Sequence, residues 1–212
     1  MEGFIAVLAA LPLTLIVTAG AFGIGMIGGI PLMLGLQSRI GLVRGATRLL
    51  VDIIRGIPTI VWLFLLYFGV SFGGMRLESL PAAVIGLGVI SSAYLAEIYR
   101  GSFQIVPRGQ SEAASALGLG NKVTFTWILA PQAFRTAMPS MATFLLALIK
   151  DSSIASTIGV AEMVFAATTF ARQNPSTAGL VPFFLAAIVY VAISVPLAVV
   201  SRRLGTRMMV NA

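Results

Sequence analysis

The chain has 212 residues, of which 58% are hydrophobic and only 10% are charged, and its formal net charge is +7. Soluble domains carry about 25% charged residues, so this composition leaves too little polar surface for a water-soluble body and indicates an integral membrane protein. The sequence contains no histidine and no cysteine, which excludes disulfides, thiol catalysis and zinc sites built from those residues.

The apolar runs are continuous rather than alternating, and this favours transmembrane helices over the strands of a barrel. At roughly 20 residues per crossing, the length fits an all-α bundle of about five spans. We treat residues 1–212 as a single membrane domain, with spans predicted at residues 8–35, 50–70, 80–99, 127–149 and 178–200.

Two features near the first and second spans concern packing and membrane contact. Gly25 and Gly29 have the small-xxx-small spacing of helix-packing faces, although glycine is also simply frequent in membrane helices. Charged residues then recur at helical spacing, which indicates a basic amphipathic stretch at a membrane face that leads into the second span. These residues are Arg44, Arg48, Asp52 and Arg55. Pro58 suits a helix entry or a kink.

The region after the fourth apolar run is unusual for a membrane protein. Residues 137–149 are too few for a crossing, so the span begins earlier, near Trp127, or ends inside the protein. Two imperfect apolar segments joined by polar residues resemble broken helices that line a pathway. The candidate pathway residues are Lys150, Asp151, Ser152, Ser153 and Glu162.

These polar residues have two interpretations. An uncompensated charge at the bilayer centre costs about 2.5–3.5 kcal/mol, so the charged groups pair, reach water or serve the pathway. In the first interpretation, acidic groups meet the amino group of a solute while Lys150 or hydroxyls meet its carboxylate. In the second, Lys150 and Asp151 pair at the outer interface. Glu97, near the end of the third span, is expected to pair with Arg100 or Arg108.

Basic residues predict the orientation in the membrane. Five crossings with the N-terminus outside place eleven of the fourteen basic residues on the inner face. They are Arg39, Arg44, Arg48, Arg55, Arg100, Arg108, Lys122, Arg135, Arg202, Arg203 and Arg207. We therefore assign the positive charge to membrane orientation and not to nucleic acid. Residues 154–171 are predicted to be re-entrant on the outer side, because a sixth crossing would place the C-terminal arginines outside.

The connector at residues 100–131 falls in the cytoplasm and is more patterned than a simple linker. Residues 107–120 suit a short helix ended by Gly118 or Gly120, and Asn121 suits the cap of a second helix. One face of the first helix carries Ala113, Ala116 and Leu117, and the alanines make this face narrow. The pattern predicts a helix–turn–helix elbow that projects from the bilayer. From the pattern alone, a knob that docks into a partner and an ordinary amphipathic loop are equally good interpretations of this elbow.

The same stretch resembles the EAA loop of ABC importer permeases. That pattern is Glu-Ala-Ala, three residues, Gly, nine residues, Ile, one residue, then Leu-Pro. The matching positions here are Glu112, Ala113, Ala114, Gly118, Ile128 and Pro131, and the departure is Ala130 in place of leucine. Three further blocks, residues 55–69, 93–119 and 149–163, resemble segments of polar amino acid permeases.

The resemblance implies a type I ABC importer permease fold, with a cytoplasmic coupling helix, in a bacterial inner membrane. It implies import of polar amino acids or related solutes, with two ATPase subunits, a second permease subunit that is identical or different, an external solute-binding protein and membrane lipid as partners. The residues expected to couple to the ATPase are Glu112, Ala113, Ala114, Ala116, Leu117 and Gly118.

The chain is expected to have no catalytic site, metal or cofactor of its own. Residues 118–124, GLGNKVT, superficially resemble a phosphate loop, but they lack the G-x-x-x-x-G-K-[ST] order. ATP and magnesium are therefore assigned to the partner ATPases. Two alternative functions fit the sequence less well. A channel or secondary transporter that works without ATP would not need the patterned elbow, and a membrane scaffold would not need intramembrane charges.

Overall fold

The computed structural model describes residues 2–69, 71–72, 75–175 and 179–210. They form α1 (Glu2–Leu36), α2 (Gly41–Gly56), α3 (Thr59–Gly69), β1 (Ser71–Phe72), β2 (Met75–Arg76), α4 (Ser79–Ile105), α5 (Arg108–Ala116), α6 (Asn121–Val123), a π-helix (Thr124–Leu129), α7 (Ala130–Asp151), a 3-10 helix (Ser152–Ile158), α8 (Met163–Gln173) and α9 (Val181–Val210). The two short strands pair antiparallel. Residues 70 and 178, predicted ends of two spans, lie outside the described residues.

Within the described ranges, four helical stretches are long and apolar enough to cross a membrane: Glu2–Leu36, Ser79–Ile105, Asn121–Ile158 and Val181–Arg203. A fifth crossing is counted only if α2 and α3 form one broken span. By itself α3 has 11 residues, about 16 Å of helix, which is shorter than the ~30 Å hydrocarbon core. The all-α membrane class with about five spans is confirmed.

The second predicted span, residues 50–70, requires a correction. The chain bends by 98° between α2 and α3, because Ile57 precedes a proline and takes an extended conformation (φ −90°, ψ 133°). Pro58 has no N–H for the carbonyl oxygen of Ile54, and the indole N–H of Trp62 donates to that oxygen instead, at 3.0 Å. This hydrogen bond joins the first turn of α3 to the last turn of α2 and holds the bend.

The centre of the fold is the long contact of α1 with α4. A Cβ atom built on Gly25 would lie 2.5 Å from the Cβ of Ser91, and one built on Gly29 would lie 3.1 Å from the backbone nitrogen of Ala96. Both glycines are buried. Of the two interpretations of this glycine pair, the structure therefore supports a helix-packing face.

The segment between α7 and α9 is folded back on the bundle. After the 3-10 helix, Gly159 turns the chain with a left-handed φ of +90°, and α8 packs on α1 and α9. With 11 residues, α8 is too short to cross a bilayer alone. Its length agrees with the expected re-entrant segment rather than with a sixth crossing.

Candidate functional site

The first candidate site is the elbow, which we define as residues 108–131. Its helix α5 ends in a Schellman motif: the N–H of Leu119 donates to the carbonyl of Ala114, and the N–H of Gly118 donates to that of Ser115, both at 3.0 Å. Gly118 has a φ of +73°, a conformation that glycine adopts without steric cost. The predicted glycine stop is therefore present at Gly118.

Two boundaries in the elbow differ from expectation. The first helix covers Arg108–Ala116 with Pro107 at its N-cap, which is shorter than residues 107–120. Asn121 was expected to cap the second helix, but Gly120 occupies the N-cap position and Asn121 is the first helical residue. The turn after α5 spans only residues 117–120, so the next helix starts at Asn121, one residue earlier than the cap assignment requires.

Of the residues expected to couple to the ATPase, one faces the bundle and the others face outward. Ala114 is buried, and the other coupling candidates, Glu112, Ala113, Ala116, Leu117 and Gly118, are exposed. Leu117 is 77% exposed, which is unusual for a leucine at the tip of an ordered helix. The elbow thus presents a small, partly apolar surface whose side chains have no partner in the described part of the chain.

Two side-chain contacts fix the elbow to the bundle. The Gln132 side-chain amide donates to the Gln110 side-chain oxygen at 3.3 Å, and Phe103 stacks on Phe125 with ring centroids 5.3 Å apart. Nearby, Arg100 forms a salt bridge with Glu97 at 2.7 Å, and this confirms the first of the two expected pairings for Glu97. The elbow is consequently connected to α4 and α7 by side chains and not only by the backbone.

The second candidate site is the polar segment at residues 150–162, where the structure separates the predicted residues into two groups. Lys150 and Asp151 are exposed and Ser153 is half-buried, whereas Ser152 and Glu162 are buried. The hydroxyls of Ser152 and Ser153 donate to the carbonyls of Ile149 and Lys150, at 2.6 and 2.7 Å. No ion pair joins Lys150 to Asp151 in the described residues.

Glu162 lies in a polar cluster between three helices. It is 0% exposed and it caps α8, because its Oε1 accepts from the Phe165 N–H at 2.9 Å. Its Oε2 accepts from the Tyr190 hydroxyl of α9, also at 2.9 Å, and Thr14 of α1 accepts from the Met163 N–H at 3.3 Å. Burial raises the pKa of the Glu162 carboxyl, and these hydrogen bonds oppose that shift.

Tyr190 is the functional candidate that the sequence analysis missed. It lies inside the last apolar run, where an aromatic residue is ordinary, and its only sequence signal is a hydroxyl at a position that faces the bundle. In the structure it has two roles. Its hydroxyl binds Glu162, and its side chain lines a cavity of about 260 Å³ together with Lys150, Ser153, Val164, Phe183, Ala186 and Ala187.

The charge and lining of this cavity suit an anionic group. Lys150 contributes an ammonium group and Ser153 a hydroxyl oxygen to a cavity whose remaining walls are largely apolar. Of the five residues predicted for the pathway, Lys150 and Ser153 thus line the same cavity. Ser152 and Glu162 lie buried behind it, and Asp151 is exposed beside Lys150.

The fold and this site together define a membrane transport subunit. A family model described as binding-protein-dependent transport system inner membrane component matches residues 21–210, and the chain belongs to this family. It is the permease subunit of an ABC importer, a multi-pass membrane protein. Membership in this family implies ATPase subunits and a second permease subunit as partners.

Individual relatives agree with this assignment. The probable amino-acid ABC transporter permease protein YckA of Bacillus subtilis (strain 168) is 38% identical over 164 residues, covering 77% of this chain and 73% of that protein. The arginine ABC transporter permease protein ArtQ of Haemophilus influenzae is 33% identical over 165 residues, covering 74% and 73%.

Solved structures show the same fold. A chain of a crystal structure described as an amino acid ABC transporter with histidines superposes with a TM-score of 0.86 at 29% identity, covering 95% of this chain and 94% of that chain. A chain of the MetNI methionine ABC transporter in an inward-facing conformation gives a TM-score of 0.70 at 20% identity, covering 98% and 94%. The type I importer permease fold is therefore confirmed.

Proposed function

We propose that this permease imports polar amino acids or related small solutes, which an external solute-binding protein delivers. Relatives named for amino acid, glutamine, arginine and octopine transport support this solute class. The chain itself does not hydrolyse ATP. The partner ATPases bind ATP and magnesium, and they supply the energy. Residues 1–212 act as one membrane domain surrounded by lipid, and nucleic acid has no part in the function.

The elbow receives the movement of the ATPase. The observation that carries this proposal is the exposed α5 with its closed glycine end, where five of the six candidate coupling residues face outward. A short helix with an apolar tip fits a groove of a partner protein. Because α7 begins at the elbow and ends at Asp151, a displacement of the elbow acts on the polar segment through one continuous helix.

The cavity beside Lys150 forms part of the solute pathway. The Lys150 ammonium group suits a solute carboxylate, and the neighbouring Asp151 suits an amino group. The Ser153 hydroxyl donates its proton to the Lys150 carbonyl, so its oxygen is left to accept a hydrogen bond from the solute. Ser152 and Glu162 are buried, so in this proposal they support the wall of the cavity rather than contact the solute. Glu162 acts through Tyr190, which lines the cavity and binds its carboxylate.

The proposed orientation places the N-terminus outside, the elbow and the C-terminus in the cytoplasm, and the polar segment toward the outer side of a bacterial inner membrane. The distribution of arginines and lysines supports it. The spans in this proposal follow the sequence prediction, with the second divided into α2 and α3 and the connector at residues 100–131 in the cytoplasm.

Gly118→Val tests the coupling proposal in the importer reconstituted with its ATPase and binding protein. A Cβ on Gly118 would meet nothing within 4 Å, so the variant avoids a clash. A β-branched residue with φ near +73° is nevertheless strained, and it disturbs the end of α5. We expect at least a tenfold loss of ATP-dependent uptake, and less ATPase copurifying with the permease.

Gly101→Val is the matched control, because its Cβ also meets open space and it lies within α4 outside the elbow. It should keep uptake and ATPase binding near those of the unmodified protein. Normal uptake and normal ATPase binding by Gly118→Val would contradict the docking role, and uptake that continues without any ATPase would contradict the importer itself.

A further inference from the structure

Helix α2 carries an apolar face that nothing in the described chain covers. Only Val51 and Ile54 are buried against the bundle. Large apolar side chains point away from it: Leu42 is 84% exposed, Leu49 is 62% exposed and Ile53 is 46% exposed. Since burial of apolar surface is the main stabilising term for an ordered helix, this face requires an apolar partner.

The charged residues of α2 lie together on one flank. At 100° per residue, Arg44, Arg48, Asp52 and Arg55 fall within an arc of about 80° between the buried residues and the exposed apolar face. Arg55 is engaged within the chain, because its guanidinium lies 4.9 Å from the ring centroid of Tyr94. Arg44 and Arg48 are exposed, and no carboxylate lies within salt-bridge distance of them in the described residues.

The bend between α2 and α3 fixes the direction of this face. The two helix axes meet at 98°, and the Trp62–Ile54 hydrogen bond holds that angle. If the apolar α3 points into the bilayer, α2 lies along the membrane surface. Its apolar face then meets the acyl boundary while its basic flank stays at the level of the headgroups.

We propose that α2 is an interfacial helix that binds an anionic lipid leaflet, with Arg44 and Arg48 contacting lipid phosphates. One observation favours lipid over a protein partner: the basic flank and the apolar face of α2 lie next to each other on the same helix. A phospholipid surface offers phosphate next to acyl chain at this spacing, whereas a helix-binding groove is chiefly apolar. This inference rests on the proposed use of α2 and α3 as one broken span.

The location of the face is tested with spin labels, since the chain contains no native cysteine. Leu49→Cys and Ile53→Cys are labelled one at a time in the full chain in nanodiscs. We expect the labels to collide with oxygen more than with a water-soluble nickel chelate. Ser115→Cys, on the exposed side of α5, is the control and should show the opposite preference. Labels on α2 that are shielded from both reagents, or open to the nickel chelate, overturn the proposal.

The lipid preference is tested by substituting both arginines. The association of spin-labelled phosphatidylglycerol, relative to phosphatidylcholine, is measured for the full chain and for Arg44→Gln/Arg48→Gln. The substitution should reduce the preference by about fivefold for each charge removed. Arg44→Lys/Arg48→Lys should retain most of it, and Arg172→Gln, on the exposed end of α8, should not change it.

An unchanged preference in the double glutamine variant overturns the lipid contact, as does an equal loss in Arg172→Gln. Neither measurement involves ATP, solute or the ATPase. A negative result here is therefore distinct from a failure of the coupling experiment on Gly118, and each can occur without the other.

Discussion

At the scale of single residues, Glu162 and Tyr190 connect elements that are distant in sequence. The carboxylate of Glu162 accepts from the backbone of α8 through one oxygen and from α9 through the other. Tyr190 lines the cavity beside Lys150, and Glu162 lies behind Tyr190. A buried carboxylate is costly unless its oxygens are hydrogen-bonded, so this contact both stabilises the segment and positions a wall of the cavity.

Tyr190→Phe isolates the contribution of this hydrogen bond. The change leaves the ring in place and removes the donor to Glu162 Oε2, and we expect the free energy of unfolding to fall by about 1–3 kcal/mol. Thermal unfolding of the purified protein in detergent measures the effect. Tyr94→Phe is the control, because the Tyr94 ring stacks on Phe144 and its hydroxyl makes no hydrogen bond in the described residues. Equal stability of the two variants would refute the structural role of Tyr190.

At the scale of elements, close packing of α1 on α4 depends on missing side chains. Gly25 faces Ser91 across the contact, and a Cβ there would come within 2.5 Å of another Cβ. Gly23 lies on the same helix two residues earlier, and a Cβ there would meet nothing within 4 Å. The two positions share backbone conformation and helix, and they differ only in what surrounds them.

The pair Gly25→Ala and Gly23→Ala therefore makes a matched test. Gly25→Ala forces the two helices apart and should destabilise the protein by about 1–3 kcal/mol. Gly23→Ala should leave stability unchanged or raise it by up to about 1 kcal/mol, through helix propensity. Denaturation in mixed detergent micelles compares them. Similar stability of the two variants would show that α1 and α4 do not pack as described.

At this scale, the sequence predicted the features that depend on a local pattern of residues. The apolar runs and the glycine that ends α5 follow from composition and spacing. Tertiary partners were not predictable in this way. The Trp62 donor to Ile54 requires knowing which carbonyl Pro58 leaves open and how the chain turns there. The Tyr190–Glu162 bond joins residues 28 positions apart, so no helical period indicates it.

At the scale of the whole molecule, the charges are distributed unevenly along the chain. Most arginines and lysines lie in α2, in the elbow and at the C-terminal end of α9, whereas Lys150 and Arg172 flank the polar segment. Loops rich in arginine and lysine stay on the inner face of the membrane, and this rule favours one orientation for the chain. In the proposed orientation, the elbow and the cavity beside Lys150 belong to opposite sides of the membrane.

Cysteine labelling from one side tests that orientation. Gly109→Cys in α5 and Gln173→Cys at the end of α8 place single thiols at exposed positions of a chain without native cysteine. In spheroplasts, a membrane-impermeant thiol reagent should modify Gln173→Cys directly and Gly109→Cys only after permeabilisation. The reverse pattern would invert the proposed topology.

The π-helix at the base of α7 has a mechanical consequence. Its hydrogen bonds include one from the Ala130 N–H to the Phe125 carbonyl, five residues back, so the turn contains one residue more than an α-helical turn. Passing that residue into α7 would rotate the helix by about 100° and advance it by about 1.5 Å. Because α7 runs unbroken to Asp151, a register change beside the elbow would turn Lys150, roughly 30 Å away, out of its present cavity.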